Sequence, residues 1–245
     1  MKQSVAITLG SGVFAVLLAA YLVSYATTVH DPVEWKDGDL VVQESRVENI
    51  LPLFAADGSG FNHVGIVEAR PEGAVVIEST DKVRETPMRE FLARSEGKAF
   101  AVYRVGSLTE EQGKAVVAAA KRQIGKPNDF FLNKSWDQLY SSELVRLAYS
   151  DIGLDVGQLQ KMNRVAGDLQ ALKPHFMRAW SSNEDCHKRG FDQDQCWTYL
   201  TRQEVVTPSS IVNDGRMTKI YEVARAEQHG FTLSRAGEKP TETRP

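Results

Sequence analysis

Cysteine is scarce in this chain: Cys186 and Cys196 are the two in 245 residues. That scarcity excludes a disulfide-dense mini-protein. It also excludes a structural zinc site, because only His187 lies close and no second Cys or His pair completes four ligands. Basic runs are missing as well. With a net charge of −3 and no lysine- or arginine-rich stretch, nothing could follow a phosphate backbone, and nucleic acid is excluded as a partner. No internal repeat is present, which excludes a solenoid. The apolar and charged fractions, 42% and 25%, are those of a folded protein and not of a disordered or collagenous one.

Charge is absent altogether from Ser4 to Val29. Val13, Phe14, Val16, Leu17, Leu18, Leu22 and Val23 make this stretch apolar on every face. It is long enough to cross a bilayer as a helix, which takes about 20 residues. Lys2 and the amino terminus precede it and His30-Asp31 follow, an order that places the bulk of the chain outside the cytoplasm. Two readings stand. Ser24-Tyr25-Ala26 fits a small-x-small cleavage site and makes residues 1–29 a signal peptide. The length of the run, beyond a usual signal core, favours an uncleaved anchor. Either reading puts the rest in the cell envelope: anchored in the inner membrane and facing the periplasm, or secreted. Cys186 and Cys196 fit that address, because in an oxidising compartment they are expected to close a local disulfide across the polar loop between them. The alternative is two separate free thiols.

A folded domain is expected over 30–225 and a loose polar tail over 226–245. Asp37-Gly38-Asp39 reads as a turn from which Leu40–Gln43 leaves as a strand, and Arg46–Leu53 as a short helix. Phe61–Glu68 and Ala74–Ser79 read as a strand pair around the Arg70–Gly73 turn. Val83–Thr86 is a third short strand, Pro87 starts a helix, and Ala99–Val105 is the next strand. Ser107-Leu108-Thr109-Glu110 has capping-box spacing ahead of a helix with Val116, Val117, Ala120 and Ile124 on one side. A helix is expected from Ser141 to Ser150, another over Ala166–Trp180 broken at Pro174, a short one after Val206-Thr207-Pro208, and a last strand over Met217–Val223.

The chemistry sits in two segments, Asn62-His63-Val64-Gly65-Ile66-Val67-Glu68 and Tyr140-Ser141-Ser142-Glu143-Leu144-Val145. His63 is a candidate base held on a strand. Glu78, on the returning strand, can fix its tautomer and stabilise its protonated form. Ser141 opens a helix, where the dipole activates a nucleophile and backbone N–H groups can receive an oxyanion. Each residue alone also has a plain reading: a structural strand histidine, a solvated strand end, an N-cap serine.

With Gly38-Asp39-Leu40 ahead of them, the two segments resemble the permuted papain-like cysteine hydrolases, the YiiX/YebB-like branch of the NlpC-type superfamily. That family reads Gly-Asp-Leu, then a His-Val-Gly strand, then Tyr-Cys-Ser-Glu-Leu-Val opening a helix. The resemblance runs from Lys36 to Tyr221 and thins between Gly157 and Gln203. It implies an α+β, permuted papain-like fold, a small antiparallel sheet packed on helices, here preceded by one N-terminal transmembrane or signal helix. It implies a Cys/His/Glu-type triad carried over to position 141, His63 and Glu78, and no cofactor, since thiol–imidazole acyl transfer needs none. Tyr140 and Asp129 are the expected substrate-binding residues, with Lys134 and Arg146 as further candidates for a charged rim. Two departures stand out. Asn128 precedes Asp129 where the family shows an aromatic, and Ser141 stands where it shows Cys. Ser141 has three explanations: an introduced Cys→Ser change that silences the enzyme, a natural pseudoenzyme, or a working serine hydrolase.

The expected function is an envelope-localised hydrolase of amide bonds, a peptidase or amidase of peptidoglycan stems. A second reading takes an acyl-lipid substrate, since the resemblance extends to lecithin:retinol acyltransferase-like enzymes. A groove built from Phe130, Phe131, Leu132 and Trp136 would favour it, against ordinary core packing of the same residues. A third reading is a membrane-tethered pseudoenzyme that binds a protein partner, with the Cys186–Cys196 loop as the recognition element.

Overall fold

The computed structural model describes residues 33–46, 60–133, 137–165 and 169–224. The expected anchor or signal segment, all but the first residue of the helix expected over Arg46–Leu53, Lys134, Trp136 and the polar tail lie outside them. Among the described residues no helix is long and apolar enough to cross a membrane. The chain divides into two compact units, Met1–Glu34 and Trp35–Pro245, and the elements and site below belong to the second.

In chain order these elements are β1 Leu40–Ser45, β2 His63–Glu68, β3 Val75–Ser79, β4 Val83–Pro87, α1 Met88–Ala93, β5 Ser95–Val105, α2 Glu110–Lys121, α3 Ser141–Ser150, β6 Gln160–Lys161, α4 Met162–Val165, α5 Leu169–Met177, α6 Glu184–Lys188, α7 Gln193–Leu200, β7 Glu204–Val205, α8 Pro208–Val212 and β8 Met217–Val223. Six strands form one antiparallel sheet in the order β4-β3-β2-β1-β5-β8, and β6 pairs with β7 as a separate ribbon. This is the α+β arrangement of an antiparallel sheet packed on helices.

Strand alternation sorts the sheet into two faces. Leu40, Val42, Val64, Ile66, Ile77 and Ala101 face one way and join Val116 and Ala120 of α2 and Leu144, Val145 and Ala148 of α3 in the main core. The other face carries Val41, Gln43, Gly65, Val67 and Val76, by the pairing Val41↔Gly65 and Val67↔Val76. Met88 and Phe91 of α1 are buried beside it. Gly65 has to be glycine here: a Cβ would lie 2.2 Å from Val76 Cγ1 and 3.4 Å from Phe91 Cε2.

The Gly38-Asp39-Leu40 motif is a bolt between sheet and helices. Asp39 accepts from Arg104 on β5 at 2.6 and 2.7 Å and from the Lys36 N–H at 2.9 Å. The Tyr149 hydroxyl of α3 donates to the Gly38 carbonyl. On α2, a Cβ at Gly113 would meet the Asp37 carbonyl at 2.3 Å, so the backbones of turn and helix touch only because Gly113 has no side chain.

Four local expectations are corrected. The α2 cap is Thr109 with Gln112 in a reciprocal capping box, shifted two residues from the Ser107 pattern, because Thr109 is the residue with extended backbone. β5 begins at Ser95, and an excursion through Gly97 and Lys98, both at φ 60, interrupts its pairing with β1. Pro174 sits inside α5 without breaking it, since it forfeits one helical bond and the chain continues through the next turn. The polar loop expected between the cysteines is helical: Asn183 caps α6, Asp192 and Gln195 cap α7, and Gly190 at φ 66 turns between them.

Cys186 and Cys196 are joined, one on each of these short helices, and both are fully buried. Closing so short a loop in the unfolded chain should contribute about 2–3 kcal/mol. Reduction, or Cys196→Ser, is expected to lower the unfolding free energy in urea by that amount. An unchanged denaturation midpoint would show that α6 and α7 hold without the bridge.

Candidate active site

His63 is the first residue of β2, and Glu78 is next to last in β3. The β2–β3 register runs Ile66↔Ile77, Val67↔Val76, Glu68↔Val75; continued one step, it sets Glu78 beside Gly65, one strand step of two residues from His63. His63 Nε2 lies 2.7 Å from Glu78 Oε2, with both side chains fully buried. The missing Cβ of Gly65 leaves room for Val76 and the Phe91 ring. Phe91 of α1 stacks on the imidazole at 5.5 Å, interplanar 25°.

Glu78 has further partners. The Thr86 hydroxyl donates to Oε1 at 2.5 Å, Arg94 Nη2 lies 2.6 Å from Oε1 and 2.7 Å from Oε2, and Arg84 Nε stands 3.7 Å away. Burial pushes the Glu78 carboxyl up. The hydrogen bond and charge of His63, with Arg94 and Thr86, outweigh it and hold the group at about 2. Glu78 is therefore a carboxylate throughout the neutral range.

Ser141 is the first residue of α3, which packs across β2. The segment entering the helix is tied to the sheet where β3 ends: Ser79 Oγ donates to the Leu139 carbonyl at 2.5 Å, and the Leu139 N–H donates to the Pro127 carbonyl at 3.0 Å. β2 begins at that same margin. The N-cap is Tyr140, with no side-chain cap bond, whereas α2, α7 and α8 all carry capping boxes. An aromatic N-cap leaves the first-turn N–H groups without a capping oxygen.

The structure thus brings His63 and Glu78 together. It does not hydrogen-bond Ser141 to His63, whose Nδ1 is buried without a partner among the described residues. Tyr140 and Asp129, expected at the substrate, are buried. The Tyr140 hydroxyl accepts from the Val206 N–H at 2.9 Å, and Asp129 Oδ1 accepts from the Phe131 N–H at 3.1 Å; Asp129 Oδ2 is buried with no hydrogen-bond partner among the described residues. Arg146 donates to the carbonyls of Val156 and Gly157 and pairs with Asp155. It lines a cavity of about 380 Å³ with Leu132, Tyr140, Glu143, Leu147 and Leu159. That cavity lies against the helix face of Glu143, Arg146, Leu147 and Ser150, which the 3.6-residue period sets opposite Ser141. Arg94, Phe91 and Thr86 were not among the expected site residues. Only the Thr86–Pro87 junction and the predicted α1 hinted that anything covered this face.

Comparison with known proteins agrees with this geometry. Residues 34–221 match the family of permuted papain-like amidase enzymes, YaeF/YiiX, C92. The uncharacterized protein YiiX of Escherichia coli K12 is 32% identical over 148 residues, 60% of this chain and 72% of that protein. A crystal structure titled metalloprotein YiiX, from Escherichia coli O157:H7, superposes with a TM-score of 0.64 at 26% identity, covering 79% of this chain and 99% of that one.

Two acids near the start of α3 behave oppositely to Glu78. Burial pushes Asp129 up to about 7, against the N–H groups of Phe131, Asn133 and Leu132. Burial, then the neighbouring Asp129, pushes Glu143 up to about 8, against the Tyr140 N–H. Such groups bind protons more tightly folded than unfolded. Their contribution is complete below the ordinary carboxyl range and is lost as pH climbs through 7 to 8. Glu78 has the reverse sign, contributing above the ordinary range and failing as pH falls toward 2. Glu143→Gln is therefore expected to melt about 3–6 °C above the parent at pH 8.5, with the gap closing by pH 5. The same gap at both pH values would refute a buried neutral Glu143.

Proposed function

Because the chain belongs to the family of permuted papain-like amidases, we propose that it is an amide hydrolase scaffold with position 141 as nucleophile, His63 as base and Glu78 as the group that orients His63. The buried 2.7 Å contact of His63 Nε2 with Glu78 Oε2 carries this reading. A carboxylate on Nε2 fixes the tautomer that leaves Nδ1 as the base, and it stabilises the imidazolium once formed. The nucleophile at 141 adds to the amide carbon while Nδ1 takes its proton. The amine departs with that proton, and water then releases the acid from the acyl-enzyme by the same route. The uncapped N–H groups of α3 suit the oxyanion. Since Nδ1 has no hydrogen-bond partner among the described residues, attack requires 141 and His63 to form that contact, as such pairs do when substrate binds.

Ser141 stands where the family motif has a thiol. A hydroxyl is far less acidic and needs strict base alignment, so the serine form is proposed to bind substrate and turn it over poorly or not at all. The uncharged Ser4–Val29 stretch supports a protein held at or beyond the membrane, where the peptide stems of the cell wall are the abundant amides. An acyl-lipid groove is less favoured: Phe131 and Leu132 are core residues, Phe131 packing on Phe176 at 6.4 Å, and the half-buried Phe130 lies against that core, 5.0 Å from Phe131 and 4.9 Å from His175. The solved relative is called a metalloprotein. Here, among the described residues, no three His, Cys, Asp or Glu side chains converge, and both Glu78 oxygens are occupied. These donors do not fit a metal ion.

Purified peptidoglycan digested by this protein and by Ser141→Cys, read by mass spectrometry, tests the proposal. New stem fragments are expected with the Cys form, to be lost on thiol alkylation and in the added His63→Ala. Fragments that survive His63→Ala would refute the mechanism. None from either protein would favour an acyl-lipid substrate or a binding role.

A further inference from the structure

We propose that Arg94 is a positioning residue of this site: it keeps Glu78 ionised whatever the charge on His63, and so leaves His63 free to take up a proton during reaction instead of holding one permanently. The proposal rests on the reading of His63 and Glu78 as base and orienter.

The geometry is specific. Arg94 is the C-cap of α1, and its N–H bonds the Phe91 and Leu92 carbonyls. Gln43 Nε2 donates to the Phe91 carbonyl at 3.1 Å, which fixes the helix end against β1. From there the guanidinium reaches both oxygens of Glu78 and lies 5.5 Å over the Phe91 ring, the ring that also stacks on His63. One aromatic side chain thus sets the spacing of imidazole and guanidinium about one carboxylate.

The charge argument follows. A fully buried carboxylate needs a compensating charge, or it takes up a proton or forces one onto a neighbour. Arginine is always charged in proteins. With Arg94 present, the group of Glu78, Arg94 and neutral His63 sums to zero. Without it, neutrality requires a proton on His63 or on Glu78, and an imidazolium cannot accept the nucleophile's proton. Among the described residues the other charge close to the group is Arg84 on β4, 3.7 Å from Glu78 and shared with Asp81. Its buried Nε makes no hydrogen bond to the carboxylate, so it is a weaker partner than Arg94, which bonds both oxygens. β1 contributes only the neutral Gln43.

The test follows the His63 imidazole nitrogens by long-range proton–nitrogen NMR in the labelled full chain, with the signal assigned by its loss in His63→Ala. Arg94→Met is expected to raise the titration midpoint of His63 by about one unit or more relative to the parent. Arg94→Lys, which keeps the charge, is expected to stay close to the parent. An unchanged midpoint in a folded Arg94→Met protein would overturn the proposal. If that variant does not fold, Arg94→Gln, which keeps a hydrogen bond and loses the charge, supplies the same comparison. No substrate is needed, so a failed digestion of peptidoglycan leaves this result standing, and an unchanged midpoint leaves the hydrolase reading standing.

Discussion

A carboxylate with no access to water governs this structure. Glu78 is ionised and fully buried, and the cost of leaving such a charge alone is several kcal/mol. Its partners come from separate pieces of chain: His63 from β2, Thr86 from β4 and Arg94 from the end of α1. Each of those pieces must sit in register for the charge to be met. β4 has to pair so that Glu78 faces Arg84 and Val76 faces Thr86. α1 has to stop where Arg94 can turn back. Gly65 has to lack a side chain so that Val76 and Phe91 can pack against it.

The nucleophile position obeys a different constraint. Ser141 arrives on the helix that covers the opposite, apolar face of the sheet, held by the Leu139–Ser79 bond and the Tyr149–Gly38 bond. The residues of the proposed site therefore come from both sides of one sheet. A helix that begins there without a capping oxygen gives up part of its own stability, and its N–H groups remain available for other work. The two raised acids, Asp129 ahead of the helix and Glu143 in its first turn, make the stability of this region depend on pH.

Much of this was legible in the chain. Alternation around His63 and Glu78 marked β2 and β3, and the Ser141–Ser150 helix has the bounds its apolar spacing predicts. Arg94 was not legible: an arginine before a serine, after a six-residue helix, has the pattern of a solvated exit. The period of two told that His63 shares a face with Gly65 and Val67, yet could not tell which face α3 would cover. Asp192 reads as a loop residue because Asx side chains serve turns and caps alike. Only the packing of Phe176 and Trp197 beneath decides for helices. Tyr140 and Asp129 had the position of substrate contacts and the burial of structural ones, a distinction that polarity along a chain does not carry.

The strand order has a consequence for how the molecule is made. From β4 across to β1, neighbours in the sheet are consecutive in the chain; β5 returns to β1 after β2, β3, β4 and α1, and β8 pairs with β5 only after every helix from α2 to α8 has been synthesised. Until then the β5 edge presents unpaired N–H and carbonyl groups, the kind of edge on which nascent chains associate wrongly. β8, the last strand among the described residues, is the one that covers this edge. Premature release of the chain would therefore endanger solubility before it endangered the residues that do the chemistry.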